Sequence, residues 1–378
     1  MKIGFDSKRA FHNKTGLGSY SRNILRILSD RYPEHEYLLY TPSITDNITD
    51  FNKVINKPNV TPIEPKGILN NVIKSYWRSS GIKKQLIDDQ INIFHGLSNE
   101  LPKGIYSSNI QFIITIHDLI YLRHPEYYKP IDRVTYEKKA RYGCNKASHI
   151  VAVSEQTKKD IIDLFGINKD KISVVYQPCD PVFIQKYSAD ESEKIRETLQ
   201  LPSKYILTVG TIEERKNALN IVKAMARLDM DDLNLVIVGR KTKYFNKVQA
   251  AITQHGLGRR VKIFQDLSNH ELAHVYSGAQ LMIYPSVYEG FGIPIIEALN
   301  QRIPVITTKG NCFSEAGGPN SKYIDHDNID EIADAIREVI DNDDLRTMMI
   351  QKGYEYVQRF NDDVIADEIM KIYLKWNK

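Results

Sequence analysis

Two glutamates eight positions apart, on either side of a turn, are the residues of this 378-residue chain best suited to chemistry. Glu289 and Glu297 lie in the segment Tyr-Pro-Ser-Val-Tyr-Glu-Gly-Phe-Gly-Ile-Pro-Ile-Ile-Glu-Ala, which starts at Tyr284. The run from Leu281 to Tyr284 is typical of a buried strand, and Pro294 is typical of the first turn of a helix. We therefore expect both carboxylates at the carboxyl edge of a parallel sheet, where such sheets bind ligands.

An acidic residue near the start of a helix often does no more than interact with the helix dipole, which contributes about 0.3–1 kcal/mol. That interpretation explains either glutamate taken alone. It explains poorly a Glu-Gly-Phe-Gly turn that is followed by a second glutamate among isoleucine and alanine residues. The segment as a whole therefore favours a functional site.

A second segment, from Thr208 to Asn217, places two cations between a strand and a helix. The strand is expected to end at Gly210, and Arg215 and Lys216 follow in the loop. Charge-assisted contacts between such cations and a phosphate contribute roughly 1.5–3 kcal/mol each. The alternative is a solvated surface pair, and the segment alone leaves both interpretations open.

Two weaker signals lie in the first half of the chain. Gly16 and Gly18 follow the first expected strand and precede a helix, which permits close approach to a phosphate or sugar, although Gly-x-Gly turns are common. His117 and Asp118 follow the expected strand from Phe112 to Ile116. A histidine beside an aspartate suggests catalysis, but such a pair is more often structural.

The segment around Glu289 resembles the signature of retaining nucleotide-sugar glycosyltransferases of family four, the glycosyl transferases group 1, which have the GT-B fold. The resemblance implies that Glu289 contacts the donor-sugar hydroxyls and that Glu297 holds the ribose, whose two hydroxyls a carboxylate can accept together. It further implies that a run of backbone N–H groups approaches the donor sugar and phosphates, namely those of Gly290, Phe291, Gly292 and Ile293.

The same resemblance assigns the cations. Family members commonly place an arginine just after the strand-end glycine and a lysine a few residues later, both on the diphosphate. Lys216 matches the lysine, whereas Thr211 occupies the arginine position. We therefore expect Arg215 to supply the second cation, and Gly210 and Thr211 to lie against the donor.

In the first half of the chain, the resemblance places the loop of Gly16 and Gly18 near the donor diphosphate and the acceptor. It implies that His117 faces the donor sugar and the positive charge that develops there. Asp118 either orients His117 or faces the acceptor. We place the base and ribose near the Gly239-Arg240-Lys241 turn in the second half.

Beyond these motifs, the chain predicts an α/β protein of two doubly wound, Rossmann-like domains. Short apolar strands alternate with helical segments from Lys2 to Tyr176 and again from Tyr205 to Thr307. We expect an N-terminal acceptor-side domain over residues 1–185 and a C-terminal nucleotide-sugar-binding domain over residues 200–360, with a cleft between them. By resemblance to the family, the last helix, residues 361–378, is expected to return to the first domain.

Composition narrows the function classes. The net charge of +4 is too small to predict nucleic-acid binding. The chain contains no run of about 18 apolar residues, so we expect no transmembrane helix. Cys144, Cys179 and Cys312 lack a metal-like spacing, so we predict reduced cytosolic thiols and no metal site. The aromatic, basic stretch from Asn71 to Gln85 fits either peripheral contact with the inner membrane surface or an ordinary half-buried helix.

The resemblance to family four, together with these features, implies a metal-independent retaining hexosyltransferase without a cofactor. It would move a sugar from a nucleoside-diphosphate sugar to a hydroxyl of a glycan or lipid-linked acceptor in polysaccharide or glycoconjugate synthesis. The Gly-Thr-x-x-x-Arg-Lys-Asn segment resembles mannosyltransferase-like members, which favours GDP-mannose as donor. The open alternatives are another GT-B enzyme, such as a nucleotide-sugar epimerase or a glycogen-synthase-like polymerase, and a non-catalytic nucleotide-binding module.

Overall fold

The computed structural model describes residues 1–45, 51–65, 74–104 and 109–377, and the chain divides into two compact units. Unit 1 comprises Met1–Pro178 and Phe360–Lys378, and unit 2 comprises Cys179–Arg359. Each unit is built on one sheet of parallel strands that are largely buried, as expected for strands covered by helices on both faces.

Unit 1 contains a seven-stranded sheet in the order β3-β2-β1-β4-β5-β6-β7. Its strands are β1 Lys2–Asp6, β2 Glu36–Tyr40, β3 Val60–Ile63, β4 Ile93–Gly96, β5 Gln111–Ile116, β6 His149–Ala152 and β7 Ile172–Val174. Its helices within Met1–Pro178 are α1 Lys8–His12, α2 Gly16–Arg31, α3 Asn52–Ile55, α4 Lys74–Tyr76, α5 Ile82–Asp88, α6 Ile120–Arg123, α7 Pro130–Lys146 and α8 Glu155–Phe165. The strand order reverses between β1 and β4, which makes their carboxyl ends the expected ligand edge.

Unit 2 contains a six-stranded sheet in the order β10-β9-β8-β11-β12-β13. Its strands are β8 Tyr205–Val209, β9 Asn234–Val238, β10 Val261–Phe264, β11 Leu281–Tyr284, β12 Val305–Thr308 and β13 Lys322–Ile324. Its helices are α9 Ala189–Thr198, α10 Ala218–Met225, α11 Phe245–Gln254, α12 Asn269–Ser277, α13 Ile293–Asn300, α14 Phe313–Gly317, α15 Ile329–Asp341 and α16 Asp343–Val357. Here the order reverses between β8 and β11, which pair directly.

The last helix, α17 (Asp362–Trp376), belongs to unit 1 and packs on α2. Its first turns are acidic, and Asp362 forms a bidentate pair with Arg26 at 2.7 and 3.1 Å. On its buried face, the hydroxyl of Tyr373 lies 2.6 Å from Nδ1 of His95 on β4. These polar contacts fix the helix against the sheet.

Several elements differ from the sequence expectation. The edge strands β3 and β13 and the helix α1 were not predicted. Strand β3 contains Pro62 and β13 begins with Lys322, so neither is a continuous apolar run, and the five residues of α1 carry too little helical periodicity. Helix α2 begins at Gly16, so Gly16 and Gly18 lie in its first turn rather than in a loop before it.

Unit 1 ends at Pro178, earlier than the expected residue 185. The following segment packs on unit 2, because Gln301 Nε2 donates to the Phe183 carbonyl at 2.7 Å.

The stretch proposed as a membrane-facing helix lies partly outside the described residues, since residues 66–73 are not described. In its described part, Trp77 is fully buried, and Arg78 bonds the carboxylates of Asp6 and Glu100 at 2.6 Å each. This pattern matches the half-buried alternative, although Tyr76 remains exposed. Within the described ranges, no helix is both long and apolar enough to cross a membrane.

Candidate functional site

The Glu289 segment occupies the loop between β11 and α13, as the sequence indicates. All four residues of β11 are buried, and Pro294 lies in the first turn of α13. Gly292 precedes that helix with φ of +110°, a conformation that favours glycine. The loop therefore turns sharply at the carboxyl end of the sheet and aims Glu289 back toward it.

The cation segment reaches the same place because β8 and β11 are neighbours. Arg215 and Lys216 lie in a short 3₁₀ turn after β8. Lys216 Nζ donates to Glu289 Oε1 at 2.5 Å and to the Tyr284 hydroxyl at 2.6 Å. Arg215 Nη1 lies 2.8 Å from the same Glu289 oxygen. Two cations and the Tyr284 hydroxyl thus converge on one carboxylate oxygen at the point where the strand order reverses.

Hydrogen bonds to the main chain join these loops in addition to the ion pairs. The N–H of Val287 donates to the Arg215 carbonyl at 2.8 Å, and Arg215 Nη1 donates to the Tyr288 carbonyl at 2.6 Å. From the next loop, Cys312 Sγ lies 3.3 Å from the Glu289 carbonyl oxygen. The cluster is therefore held by the main chain as well as by ion pairs.

Burial makes this cluster electrostatically strong. The side chains of Glu289, Arg215 and Lys216 are only 11%, 12% and 17% exposed. Burial alone would raise the pKa of Glu289, but Arg215 and Lys216 outweigh it and lower the pKa to about 2. Burial and the neighbouring Arg215 lower the pKa of Lys216. Glu289 is consequently an anion at neutral pH, bound to two cations.

Two glycines bring the supporting loops together. A Cβ on Gly239 would lie 1.9 Å from the carbonyl oxygen of Gly210, which itself has φ of +145°. The close contact between the ends of β8 and β9 therefore leaves no room for a side chain at Gly239. Arg240 has an exposed side chain, and its carbonyl accepts from the Ile212 N–H at 2.9 Å, which holds the turn beside Thr211.

Glu297 lies one helical turn inside α13 and is partly buried. Its Oε2 accepts a hydrogen bond from the Tyr276 hydroxyl at 2.8 Å. Burial raises the pKa of Glu297 to about 7, and the Asp180 carboxylate adds to the increase. The two glutamates of the motif therefore differ in pKa, because Glu289 contacts two cations whereas Glu297 contacts a tyrosine hydroxyl.

Backbone positions predicted to approach the donor occupy the same loop. Gly290 and Phe291 connect Glu289 to Gly292, and Ile293 opens α13. Phe291 is 2% exposed, so its ring anchors the loop in the core. The approach of their N–H groups to the donor sugar and phosphates stays a prediction.

In unit 1, His117 and Asp118 follow β5 at the carboxyl edge. The His117 Nε2 lies 2.8 Å from the Leu97 carbonyl, which can only accept, so the neutral ring carries its proton on Nε2. Burial lowers the pKa of His117 to about 4. Asp118 Oδ1 instead accepts from the Ile120 N–H at 3.1 Å, which caps the following turn.

The two glycines of α2 have different surroundings. A Cβ on Gly18 would lie 1.8 Å from the Asn13 carbonyl oxygen, whereas a Cβ on Gly16 would meet nothing within 4 Å. Close packing therefore leaves no room for a side chain at Gly18, whereas Gly16 borders open space. Tyr20, one turn further on, places its ring edge-on to His117 with centroids 4.6 Å apart.

Sequence reasoning missed the tyrosines of this site. Tyr284 bonds Glu289, yet it ends an apolar strand. Tyr276 bonds Glu297, yet it lies in a helix remote in sequence. A tyrosine as the last residue of a buried strand was the available signal, because its hydroxyl needs a partner there.

Two family models match this chain. The family model described as "Glycosyl transferases group 1" matches residues 190–356, and that described as "Glycosyltransferase Family 4" matches residues 15–183. O-antigen chain mannosyltransferase B of Escherichia coli is 25% identical over 99% of both chains. O-antigen chain mannosyltransferase RfbU of Salmonella typhimurium is 28% identical over 66% of this chain and 65% of its own.

Solved structures show the same fold. A glycosyltransferase from Rickettsia africae matches with a TM-score of 0.78 at 19% identity, over 100% of this chain and 98% of its own. Anabaena Alr3699/HepE, solved with UDP and glucose, matches with a TM-score of 0.75 at 18% identity, over 99% of this chain and 100% of its own. The expected GT-B fold, with two Rossmann-like domains, is confirmed. Because the two family models together span nearly the whole chain, this protein belongs to the glycosyltransferases of group 1 and family 4.

Proposed function

We propose that this protein is a retaining, metal-independent hexosyltransferase. Its donor would be a nucleoside-diphosphate sugar, and its acceptor a hydroxyl of a glycan or lipid-linked saccharide in cell-surface polysaccharide synthesis. The observation that carries the proposal is the convergence of Arg215, Lys216 and Glu289 at the strand-order reversal of unit 2.

The charges of this cluster suit a diphosphate leaving group. Arg215 and Lys216 share the Glu289 carboxylate, while the more exposed Glu213 pairs with Arg215 alone, and a diphosphate can bind both cations. As the bond between the sugar and the diphosphate breaks, negative charge grows on the leaving oxygen, where fixed and desolvated cations stabilise it most. The start of α13 favours negative charge in the same way. No metal ion is needed in this scheme.

Glu289 would then accept hydrogen bonds from donor-sugar hydroxyls, with Gly290–Ile293 along the sugar and phosphates. Glu297 would accept from the ribose, and the Gly239-Arg240-Lys241 turn would lie near the base. In unit 1, His117 would contribute a neutral ring toward the sugar, and Gly16 and Asp118 would lie on the acceptor side. The acceptor oxygen would attack the face from which the diphosphate leaves, and its proton would pass to that diphosphate.

The relatives guide the choice of donor. Two of them are named mannosyltransferases, which favours GDP-mannose. The Anabaena protein was solved with UDP and glucose, which makes a UDP-sugar the second candidate. Nucleotide sugars are made in the cytoplasm, so a cytoplasmic site of action is part of this proposal, with peripheral membrane contact through a lipid-linked acceptor. Neither nucleic acid nor a cofactor has a part in it.

The test is a transfer assay with a panel of nucleotide sugars and saccharide acceptors, with and without chelator. We expect transfer without added metal and retention of the anomeric configuration, read by NMR. Lys216→Met is expected to reduce kcat by about 10²–10³, because one fixed charge is lost from the site. Lys204→Met serves as the matched control, since Lys204 pairs only at the surface with Asp232.

Several outcomes would contradict the proposal. An inverted product or strict dependence on Mg²⁺ would exclude the retaining, metal-free mechanism. Nucleotide release without an acceptor-dependent product would favour an epimerase, and nucleotide binding without any turnover would favour a non-catalytic module. A Lys216→Met variant as active as the Lys204→Met variant would remove the cation cluster from catalysis.

A further inference from the structure

Two helices of unit 2 bring a carboxylate and two imidazoles together outside the cation cluster. His270 and His274 lie four residues apart on α12 and therefore share one helix face. Glu191, in the first turn of α9, faces them. Its Oε1 lies 3.0 Å from His270 Nε2 and 3.8 Å from His274 Nε2, and the three ligand atoms all lie within 4.8 Å of one another.

His274 supplies a second observation. The residue is 3% exposed, and its Nε2 has no hydrogen-bond partner among the described residues. Its Nδ1 lies 3.2 Å from the Ser192 hydroxyl, which holds the ring with Nε2 toward Glu191. The Nε2 of His274 is thus a buried nitrogen that lies 3.8 Å from a carboxylate oxygen, beyond hydrogen-bond length.

The spacing and ligand types fit one class of ion. Two imidazole nitrogens and one carboxylate oxygen suit zinc and similar divalent transition metals. Ligands about 2.0–2.1 Å from a tetrahedral ion lie about 3.3 Å from one another, which falls between the two measured separations. The Glu191 and His270 side chains are 43% and 46% exposed, so the third contact can close by rotation and water can complete the coordination.

We propose that Glu191, His270 and His274 form a structural Zn²⁺ site that joins α9 to α12. The ion would take no part in transfer. It would fix the helix that carries Tyr276, whose hydroxyl holds Glu297. The sequence expectation of no metal site rested on cysteine spacing, and a histidine pair with a glutamate 79 residues upstream has no local signature.

The test uses the full chain, without an affinity tag, stripped with EDTA and titrated with Zn²⁺ by calorimetry. We expect one ion per chain and a higher melting temperature when it is bound. His270→Gln and Glu191→Gln alter partly exposed ligands and are expected to weaken binding by at least about tenfold. His255→Gln removes an exposed histidine elsewhere in unit 2 and should leave binding unchanged.

A second readout is the visible absorption of Co²⁺ bound in place of Zn²⁺, expected in the wild type and the His255→Gln variant but not in the His270→Gln variant. The proposal is overturned if Zn²⁺ does not saturate one site, or if His270→Gln and Glu191→Gln bind it as tightly as the wild type. Loss of binding in His326→Gln alone would move the ion to the exposed Asp325–Asp327 cluster and equally overturn it. None of these readouts depends on transfer activity, so the proposed function stands or falls separately.

Discussion

Replacing Glu289 by glutamine should have opposite effects on fold stability and on diphosphate binding. The change keeps the volume of the side chain but removes the single anion that Arg215 and Lys216 share. Both cations are more than four-fifths buried, so water cannot solvate them once the Glu289 charge is removed. This burial predicts a cost in stability in addition to the loss of the sugar contact expected from the sequence.

The cost in stability follows from the geometry. Removing one partner of a buried ion pair typically costs about 3–5 kcal/mol, because the other charge stays buried without compensation. Glu213→Gln is the matched control, since Glu213 bonds the same Arg215 at 2.8 Å but is 37% exposed. Surface pairs contribute about 0–1 kcal/mol, so that variant should be nearly as stable as the wild type.

Urea denaturation can assign the effect to a unit. Both tryptophans, Trp77 and Trp376, lie in unit 1, so their fluorescence follows that unit, whereas far-ultraviolet circular dichroism follows both. Glu289→Gln should lower the urea midpoint seen by circular dichroism and should shift tryptophan fluorescence less. Equal stability of the Glu289→Gln and Glu213→Gln variants would refute the reasoning about burial.

Diphosphate binding should change in the other direction. In the ligand-free protein, Glu289 competes with a diphosphate for Lys216 and Arg215. Each charge-assisted bond released from that competition contributes about 1.5–3 kcal/mol, so a nucleoside diphosphate without its sugar should bind at least about tenfold more tightly to Glu289→Gln. Calorimetric titration with GDP and UDP measures this directly. Weaker binding would show that Glu289 positions the cations rather than competes for them.

Three further predictions concern other parts of the chain. Gly18→Ala should destabilise unit 1, because its Cβ would lie 1.8 Å from a backbone oxygen, whereas Gly16→Ala should leave the urea midpoint seen by tryptophan fluorescence unchanged and reduce transfer only. Glu297 has a pKa raised to about 7, and only the ionised form accepts both ribose hydroxyls, so nucleotide affinity should rise about tenfold from pH 6 to pH 8 and Glu297→Gln should abolish that rise. Because burial lowers the pKa of His117 to about 4, kcat between pH 6 and pH 8 should not follow the titration of His117, and His117→Gln should lower kcat without changing the shape of that profile.

Much of the fold could be predicted from the sequence. Apolar runs such as Leu281–Tyr284 marked the longer strands, because a parallel strand covered on both faces must be apolar along its length. Gly292 and Pro294 marked the turn and the start of α13, since each restricts the backbone in a way that few other residues match. The edge strands β3 and β13 were missed, because Pro62 interrupts one and Lys322 begins the other, so only their pairing with β2 and β12 identifies them as strands.

The sequence by itself predicted two α/β domains, because local backbone preference and apolar periodicity depend on neighbouring residues, and its resemblance to family four added the GT-B fold and the carboxylates worth testing. Only the tertiary structure decided that Lys216 would meet Glu289, 73 positions away, because β8 and β11 became neighbours in the sheet. It also separated the two glutamates in pKa and assembled Glu191 with His270 and His274. Burial and long-range neighbours set charge states and ligand geometry, and neither is encoded in any short segment.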